Sequence, residues 1–274
     1  MSERYAVIGH PVGHSLSPFM QRAAFDQAAI AATYQALDIA PEALPSWVGE
    51  GADDLAGFNV TIPHKRAITP LLADLTEDAR ATGAVNTVAR ESNALVGHNT
   101  DVEGFDRALA AFGEVCGGEA LVLGAGGAAS AVVRVLDRRG YRVWVAARRP
   151  ESAQSLVAPE RAVDLTATRV LDLVASADVL VNATPLGMDA FPGLSPLPPH
   201  VEPQIGTIAI DLVYGRQTPF LEIAKRTGCR TQDGLEMLVH QGAAAFRFWT
   251  GREPDIDVMR AACTHRLEVA CFAS

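Results

Sequence analysis

Lysine is nearly absent from this chain. Of its 23 basic residues only Lys65 and Lys225 are lysine, and the other 21 are arginine. A chain that uses guanidinium wherever a fixed positive charge suffices points, at a retained lysine, to a task guanidinium cannot perform. Proton transfer is such a task, because an amine can be tuned toward neutral pH. Lys225 closes the helical run Leu221-Glu222-Ile223-Ala224-Lys225-Arg226 and reads as surface. Lys65 stands in Thr61-Ile62-Pro63-His64-Lys65, a loop that leaves a strand and opens a new helical stretch. Asp101, in Asn99-Thr100-Asp101, is the best-placed carboxylate to hold the amine, since each follows a strand end in the first part of the chain. A lysine and a carboxylate so paired could take or give the hydroxyl proton when a carbinol exchanges hydride with a nicotinamide. An ordinary loop ion pair is the duller alternative.

The second constellation is Gly124-Ala125-Gly126-Gly127-Ala128-Ala129. In a G-x-G-x-x-A turn the first glycine permits the bend and the second lets backbone approach a pyrophosphate. The small third residue lets helix pack on strand, and the helix N-terminus faces the phosphates. Glycine turns are common, but this one follows the buried strand Ala120-Leu121-Val122-Leu123 and opens a helix, as a dinucleotide site requires. At the end of the next strand, NAD binders tend to place an acid for the ribose 2′-hydroxyl. Here the residues are Ala146-Ala147-Arg148-Arg149-Pro150, with no acid before Glu151. Two arginines suit a 2′-phosphate, which a planar guanidinium holds bidentately, so NADP is favoured over NAD. Two solvated surface arginines are the plain alternative.

The elements that position these residues alternate between strand and helix. Tyr5–Gly9, Thr33–Ile39 and Gly57–Val60 read as strands, and Pro41–Val48 as a short helix. A helix from Ser17, with serine as N-cap and Pro18 at the first helical position, should run to about Ala31. Asn86–Arg90 and Ala94–Gly97 flank a hairpin turn, and Asn99-Thr100-Asp101 caps a helix to Phe112. Gly113–Gly118 marks a boundary, after which a regular β-α-β unit begins, with a helix from about Ala128 to Arg139. Later strands are Arg142–Ala146, Val179–Asn182 and Thr207–Asp211; Gly187–Pro203 is a loop; and helices follow at Gly234–Thr250 and Asp255–Leu267. In the first of these helices Gln241 shares a face with Leu238, Ala245, Phe246 and Trp249, so its amide must find partners.

Bulk properties exclude several classes. With 274 residues, 49% hydrophobic and 20% charged, the chain suits two domains with real cores. A net charge of −9 disfavours nucleic acid and anionic lipid as partners. No apolar run is long enough to span a membrane, and no signal-peptide pattern precedes the first strand, so the cytoplasm is expected. Cys116, Cys229, Cys263 and Cys271 form no C-x-x-C pair and the seven histidines no H-E-x-x-H motif, so no metal site is expected and the thiols should be reduced, in or near cores.

Seven segments in order resemble the shikimate dehydrogenase family: His14-Ser15-Leu16-Ser17-Pro18, Asn59–Lys65, Gly83–Thr87, Gly97–Asp101, Asn182–Met188, Asp211–Tyr214 and Asp233–Gln241. The resemblance implies an α/β fold of two domains. The N-terminal substrate domain, residues 1–101, is completed by C-terminal helices in 235–274, and a Rossmann-type doubly wound NADP domain, residues 102–234, is inserted between them. It implies that Lys65 and Asp101 are the catalytic pair. Ser15 and Ser17 would bind the substrate carboxylate, and Thr61, Asn86, Tyr214 and Gln241 would add contacts to the substrate. Gly124, Ala125, Gly126, Gly127, Ala128, Ala147, Arg148 and Arg149 would hold the nucleotide, with Thr184, Leu212 and Gly234 near the nicotinamide. The reaction implied is reversible reduction of 3-dehydroshikimate to shikimate with NADPH, by a monomer or homodimer. An NAD-linked quinate/shikimate dehydrogenase is the nearest rival, which Ser17 disfavours, and a catalytically silent NADP-binding regulator is a rival of another class. Two departures stand out. Ala147-Arg148-Arg149 replaces the Asn-Arg-Thr often found in relatives, and Gly215-Arg216 replaces x-Pro after Tyr214, which suggests a more mobile loop.

Overall fold

The computed structural model describes residues 2–272, with side chains described through residue 269. The chain divides into two compact units, one formed by the chain up to Gly104 and from Leu238 onward, the other by Phe105–Met237. In order, the elements of the first stretch are β1 (Glu3–Gly9), α1 (Ser17–Gln27), β2 (Ala32–Asp38), α2 (Leu44–Ser46) within a helical tract from Pro41 to Gly51, β3 (Gly57–Val60), β4 (Asp74–Leu75), α3 (Glu77–Thr82), β5 (Thr87–Glu91), β6 (Ala94–His98) and α4 (Asp101–Ala110). The second unit holds β7 (Glu119–Leu123), α5 (Gly127–Arg138), β8 (Arg142–Ala147), α6 (Pro150–Gln154), β9 (Ala162–Asp164), α7 (Arg169–Ser176), β10 (Val179–Asn182), β11 (Ile208–Asp211), α8 (Pro219–Arg226) and β12 (Arg230–Gln232). Two helices, α9 (Leu235–Thr250) and α10 (Ile256–Phe272), close the chain.

The first unit's sheet runs β2-β1-β3-β5-β6-β4. β1 is parallel to β2 and β3, and β5 turns the sheet antiparallel. β6 then returns beside β5 through a hairpin whose tip places Ser92 and Asn93 at positive φ, as a tight hairpin turn demands. One apolar cluster gathers Ala6, Ile8, Leu44, Phe58, Val60, Ile68, Val85 and Val88. Another set is aromatic: Tyr5 stacks on Phe25 at 4.9 Å between centroids, Phe25 meets Phe246 at 5.1 Å, and Tyr34 lies 6.2 Å from Trp249. These contacts seat α1 and α9 on the sheet, and the Trp249 indole donates to the Val88 carbonyl at 2.9 Å.

The second unit's sheet runs β12-β11-β10-β7-β8-β9 with every pairing parallel. Its middle strands are continuously apolar because helices cover both faces. Leu121, Leu123, Trp144, Leu180, Ala209 and Phe220 are among its core. The strand order reverses between β7 and β10, the crevice where open parallel sheets bind ligands.

Three expectations need correction. Ser17 is the first helical residue rather than the N-cap; Leu16 holds that place and no side chain caps the helix. No α-helix opens at Lys65; turns lead only to a three-residue helical segment, Thr69–Leu71. Cys116 is exposed rather than near a core, while Cys229 is partly buried and Cys263 buried. The side chain of Cys271 lies outside those described. Among the described residues, no helix is long and apolar enough to cross a membrane.

Candidate functional site

In the first unit, polar side chains gather where β1, β3 and β6 end. The loop leaving β3 is tied to β1, since Thr61 N–H donates to the Ile8 carbonyl at 2.9 Å and His10 N–H to the Ile62 carbonyl at 2.9 Å. His64 is buried, and its ring donates to the Ile39 carbonyl at 2.7 Å, which leaves it an anchor for the loop. Lys65 follows it and donates from Nζ to Asp101 Oδ2 at 2.5 Å. The lysine side chain is 16% exposed and the aspartate 5%, so the pair is screened little and yet reachable from one side. Asp101 opens α4, where the helix N-terminus favours a negative charge. Its own N–H is accepted by Asn99 Oδ1 at 3.1 Å.

Asn86 holds the other oxygen of this carboxylate, donating to Asp101 Oδ1 at 2.8 Å. The same amide nitrogen lies 2.9 Å from Thr100 Oγ1 and 3.2 Å from Gln241 Oε1, so three acceptors share two hydrogens. Gln241 is thereby brought from α9 against the pair, and its Nε2 donates back to the Leu238 carbonyl at 2.8 Å. Ser15 is half-buried, and its Oγ accepts the Ser17 N–H at 3.2 Å, leaving its hydroxyl hydrogen to point elsewhere. The Thr61 hydroxyl has no partner among the described residues. An amine that can give a proton, a fixed carboxylate beside it and several uncharged donors suit proton transfer on a small polar substrate.

In the second unit the turn after β7 meets its steric requirement. Gly124 has φ +110°, and a Cβ there would lie 2.8 Å from the Ala183 carbonyl oxygen. Gly126 caps α5 with nothing within 4 Å of its Cβ position, so the space beside the loop is open to a ligand. The first N–H groups of α5, from Gly127, Ala128 and Ala129, have no partner within the helix and can meet phosphate. Ala147 is buried at the end of β8; Arg148 and Arg149 beyond it are exposed and make no ion pair with any described residue. Two free guanidinium groups together attract an anion.

The loops after β10 and β11 are joined by hydrogen bonds that sequence reasoning did not foresee. Asn182 Oδ1 accepts from Thr184 N–H at 3.0 Å and from its hydroxyl at 2.7 Å, while Asn182 Nδ2 donates to Asp211 Oδ1 at 2.9 Å. Asp211 also accepts from Val213 N–H at 3.0 Å and from the Thr218 hydroxyl at 2.5 Å. The only signal in the sequence is a polar residue ending each of two apolar strands. Gly234 sits against the Leu212 carbonyl, too close for any side chain. Tyr214, partly buried, lies in this unit, and the loop beyond it is tied rather than slack: Gly215 N–H donates to Asp233 at 3.2 Å, and Arg216 pairs with Asp189.

Burial lifts the Asp211 carboxyl from its ordinary 3.8 to about 6; its three donors lower it, and the Asp233 charge adds to the rise. A raised carboxyl disfavours the charged form on folding, so its contribution to stability falls as pH rises between about 4 and 6. The Tm of Asp211→Asn minus that of the natural protein should therefore increase across this interval. A difference that stays flat would show that the buried carboxyl is not raised.

A wholly parallel sheet in the dinucleotide-binding order, a glycine loop at its reversal and a lysine–carboxylate pair in a second α/β unit define a two-domain nucleotide-dependent oxidoreductase. Residues 7–88 match the shikimate dehydrogenase substrate-binding domain, residues 106–186 the shikimate/quinate 5-dehydrogenase domain and residues 234–264 the shikimate 5′-dehydrogenase C-terminal domain. The chain is 44% identical to a shikimate dehydrogenase (NADP(+)) of Thermus thermophilus, over 97% of this chain and 99% of that protein. It is 43% identical to that of Synechocystis, over 96% and 95%. Among solved structures, the Thermus thermophilus enzyme in complex with NADP(H) and shikimate superposes with a TM-score of 0.87 at 42% identity, covering 97% and 99% of the two chains. The quinate dehydrogenase of Corynebacterium glutamicum in complex with NAD gives 0.81 at 32% identity, covering 95% and 98%. The chain belongs to the shikimate dehydrogenase family.

Proposed function

We propose that this protein catalyses the reversible reduction of 3-dehydroshikimate to shikimate with NADPH. The observation that carries the reading is the Lys65–Asp101 pair at 2.5 Å, set among uncharged donors in the first unit. In this reading residues 1–101 with 235–274 form the substrate and catalytic domain, and residues 102–234 the NADP domain. The open space beside Gly126 and the unpaired Arg148 and Arg149 fit a phosphate-rich nucleotide. Gly124, Ala125, Gly126, Gly127 and Ala128 hold its pyrophosphate, Ala147, Arg148 and Arg149 its 2′-phosphate, and Thr184, Leu212 and Gly234 flank its nicotinamide. When bound, NADPH supplies the hydride.

Ser15 and Ser17 anchor the substrate carboxylate; Ser15 Oγ accepts the Ser17 N–H and keeps its hydrogen for the carboxylate, while the Ser17 hydroxyl turns to it from the Tyr34 phenol. Thr61, Asn86, Tyr214 and Gln241 fix the ring; one Gln241 N–H is committed to Leu238, which leaves the other for a substrate hydroxyl. As the ketone carbon gains hydride, negative charge grows on its oxygen, and Lys65 Nζ gives that oxygen a proton. Asp101 holds the amine in place and stabilises its charged form before the transfer. In the oxidative direction the neutral Lys65 amine takes the hydroxyl proton as general base. Unpaired Cys116, Cys229 and Cys263 are compatible with action in the reducing cytoplasm.

The test mixes purified protein with shikimate or quinate and either NADP+ or NAD+, following cofactor absorbance. Shikimate with NADP+ should give the fastest turnover. A pocket seldom rejects one added hydroxyl strongly, so slower quinate oxidation is compatible with the reading. Silence with all four pairs overturns it.

A further inference from the structure

Behind the candidate catalytic pair runs a chain of buried polar groups to which no substrate or cofactor contact has been assigned. Tyr34 on β2 is 1% exposed, and its hydroxyl donates to Asn59 Oδ1 at 2.7 Å. Asn59, on the central strand β3, donates from Nδ2 to Thr87 Oγ1 at 3.0 Å and to the Asn86 carbonyl at 3.1 Å. Thr87, fully buried, donates to Asn86 Oδ1 at 3.1 Å. Asn86 donates to Asp101, which accepts Lys65. At the far end, the phenol oxygen has given its hydrogen to Asn59 and accepts the Ser17 hydroxyl.

The chain has a direction. An amide presents its oxygen on one side and its hydrogens on the other, so each member fixes the sense of the next. Because the Tyr34 hydroxyl donates, Asn59 must turn its oxygen toward it and its hydrogens toward Thr87. Thr87 then turns its own hydrogen toward Asn86 Oδ1, with Thr100 Oγ1 beside it at 3.1 Å, and the Thr100 N–H donates to the same Asn86 oxygen at 2.7 Å, so Asn86 faces Asp101 with N–H. Reversing any amide would set oxygen against the carboxylate, or hydrogen against hydrogen, in a buried space where an unmatched polar group is costly. Burial holds the Tyr34 phenol protonated far above its ordinary range, so it can act as a donor throughout the working pH range.

We infer that Tyr34, Asn59 and Thr87 form a polarised relay that positions Asn86 N–H on Asp101, and so sets the catalytic lysine, while linking it to the carboxylate-binding Ser17. The three are positioning residues, and the inference rests on the proposed function of the Lys65 site. With Thr87→Val the relay loses its central hydroxyl at nearly constant volume, whereas Thr87→Ser keeps it.

Shikimate oxidation by NADP+ is measured for the natural protein, Tyr34→Phe, Thr87→Val and Thr87→Ser. Tyr34→Phe and Thr87→Val should lower kcat roughly 10–100-fold, as expected when a reacting group is slightly misplaced. The KM for NADP+ should not change. Their kcat–pH profiles should depart from that of the natural protein, because the N–H donor held on Asp101 is displaced. Thr87→Ser should behave like the natural protein. The relay is overturned if Tyr34→Phe and Thr87→Val lose only thermal stability, with kcat and pH profile intact, or if Thr87→Ser is as impaired as Thr87→Val. Absence of shikimate turnover in the natural protein overturns the function of the site itself, a distinct result.

Discussion

Replacing Lys65 by arginine should leave a folded protein whose kcat is lower by roughly 10²–10⁴ in both directions, the usual range for losing a general acid–base group. The substitution is nearly neutral for everything but proton transfer. A guanidinium keeps the positive charge and can still pair with Asp101, whose second oxygen stays on Asn86. The lysine side chain is partly exposed, so the larger head can reach solvent, and Tm should change little. What arginine cannot do is surrender a proton near neutral pH. If Lys65 only supplied charge to the ketone oxygen, Lys65→Arg would retain most of the activity. Lys65→Met separates the two roles further, because it removes charge and proton together and leaves Asp101 unpaired. The arginine variant should then lie near the methionine variant in kcat while exceeding it in Tm. Turnover by Lys65→Arg close to that of the natural protein would sink the assignment of Lys65 as proton donor.

Much of this arrangement could be read from residues alone, and the reasons it stopped where it did are physical. The run Ala120–Leu123, the glycine turn and the following helix declare themselves because a buried parallel strand is uniformly apolar and the turn needs particular residues. The hairpin at Ser92 and Asn93 was legible from alternation on either side of turn-forming residues. Strands β4, β9 and β12 were not, because two or three residues carry no period. Ser17 reads as a cap because Pro18 follows it, but the helix begins one residue earlier and the hydroxyl meets the Tyr34 phenol instead. Lys65 and Asp101 could be singled out by type, whereas their contact spans 36 positions and exists only once the sheet brings β3 and β6 to a common edge. Tyr34 and Asn59 show the deeper limit. A tyrosine or asparagine on a strand gives no sign in sequence that its polar atom faces another one inside the core. The same holds for Asp211 and Asn182, which end apolar strands and read as strand boundaries until their shared hydrogen bond is seen.

The cofactor side carries the second large effect. Removing both guanidinium groups with Arg148→Ala and Arg149→Ala should raise the KM for NADP+ by roughly 10–100-fold, the scale of losing charge-assisted bonds to phosphate at an exposed site. Constants for NAD+ should hardly move, since a ribose 2′-hydroxyl offers no charge for either arginine to meet. Tm should stay constant, because neither side chain makes an ion pair with any described residue. Salt gives an independent check. Attraction between an exposed cation and a phosphate is screened as ionic strength rises, so the KM for NADP+ of the natural protein should climb with added salt. In the double variant that climb should flatten. The single variants then divide the work. Ala147 is buried and its side chain carries no polar group, so no side chain at that position assists the phosphate. Arg149 adds a second guanidinium beside Arg148, and Arg149→Ala alone should lose a substantial share of the preference for NADP+. An unchanged ratio of NADP+ to NAD+ activity in the double variant would mean that neither arginine meets the 2′-phosphate and that discrimination is made elsewhere.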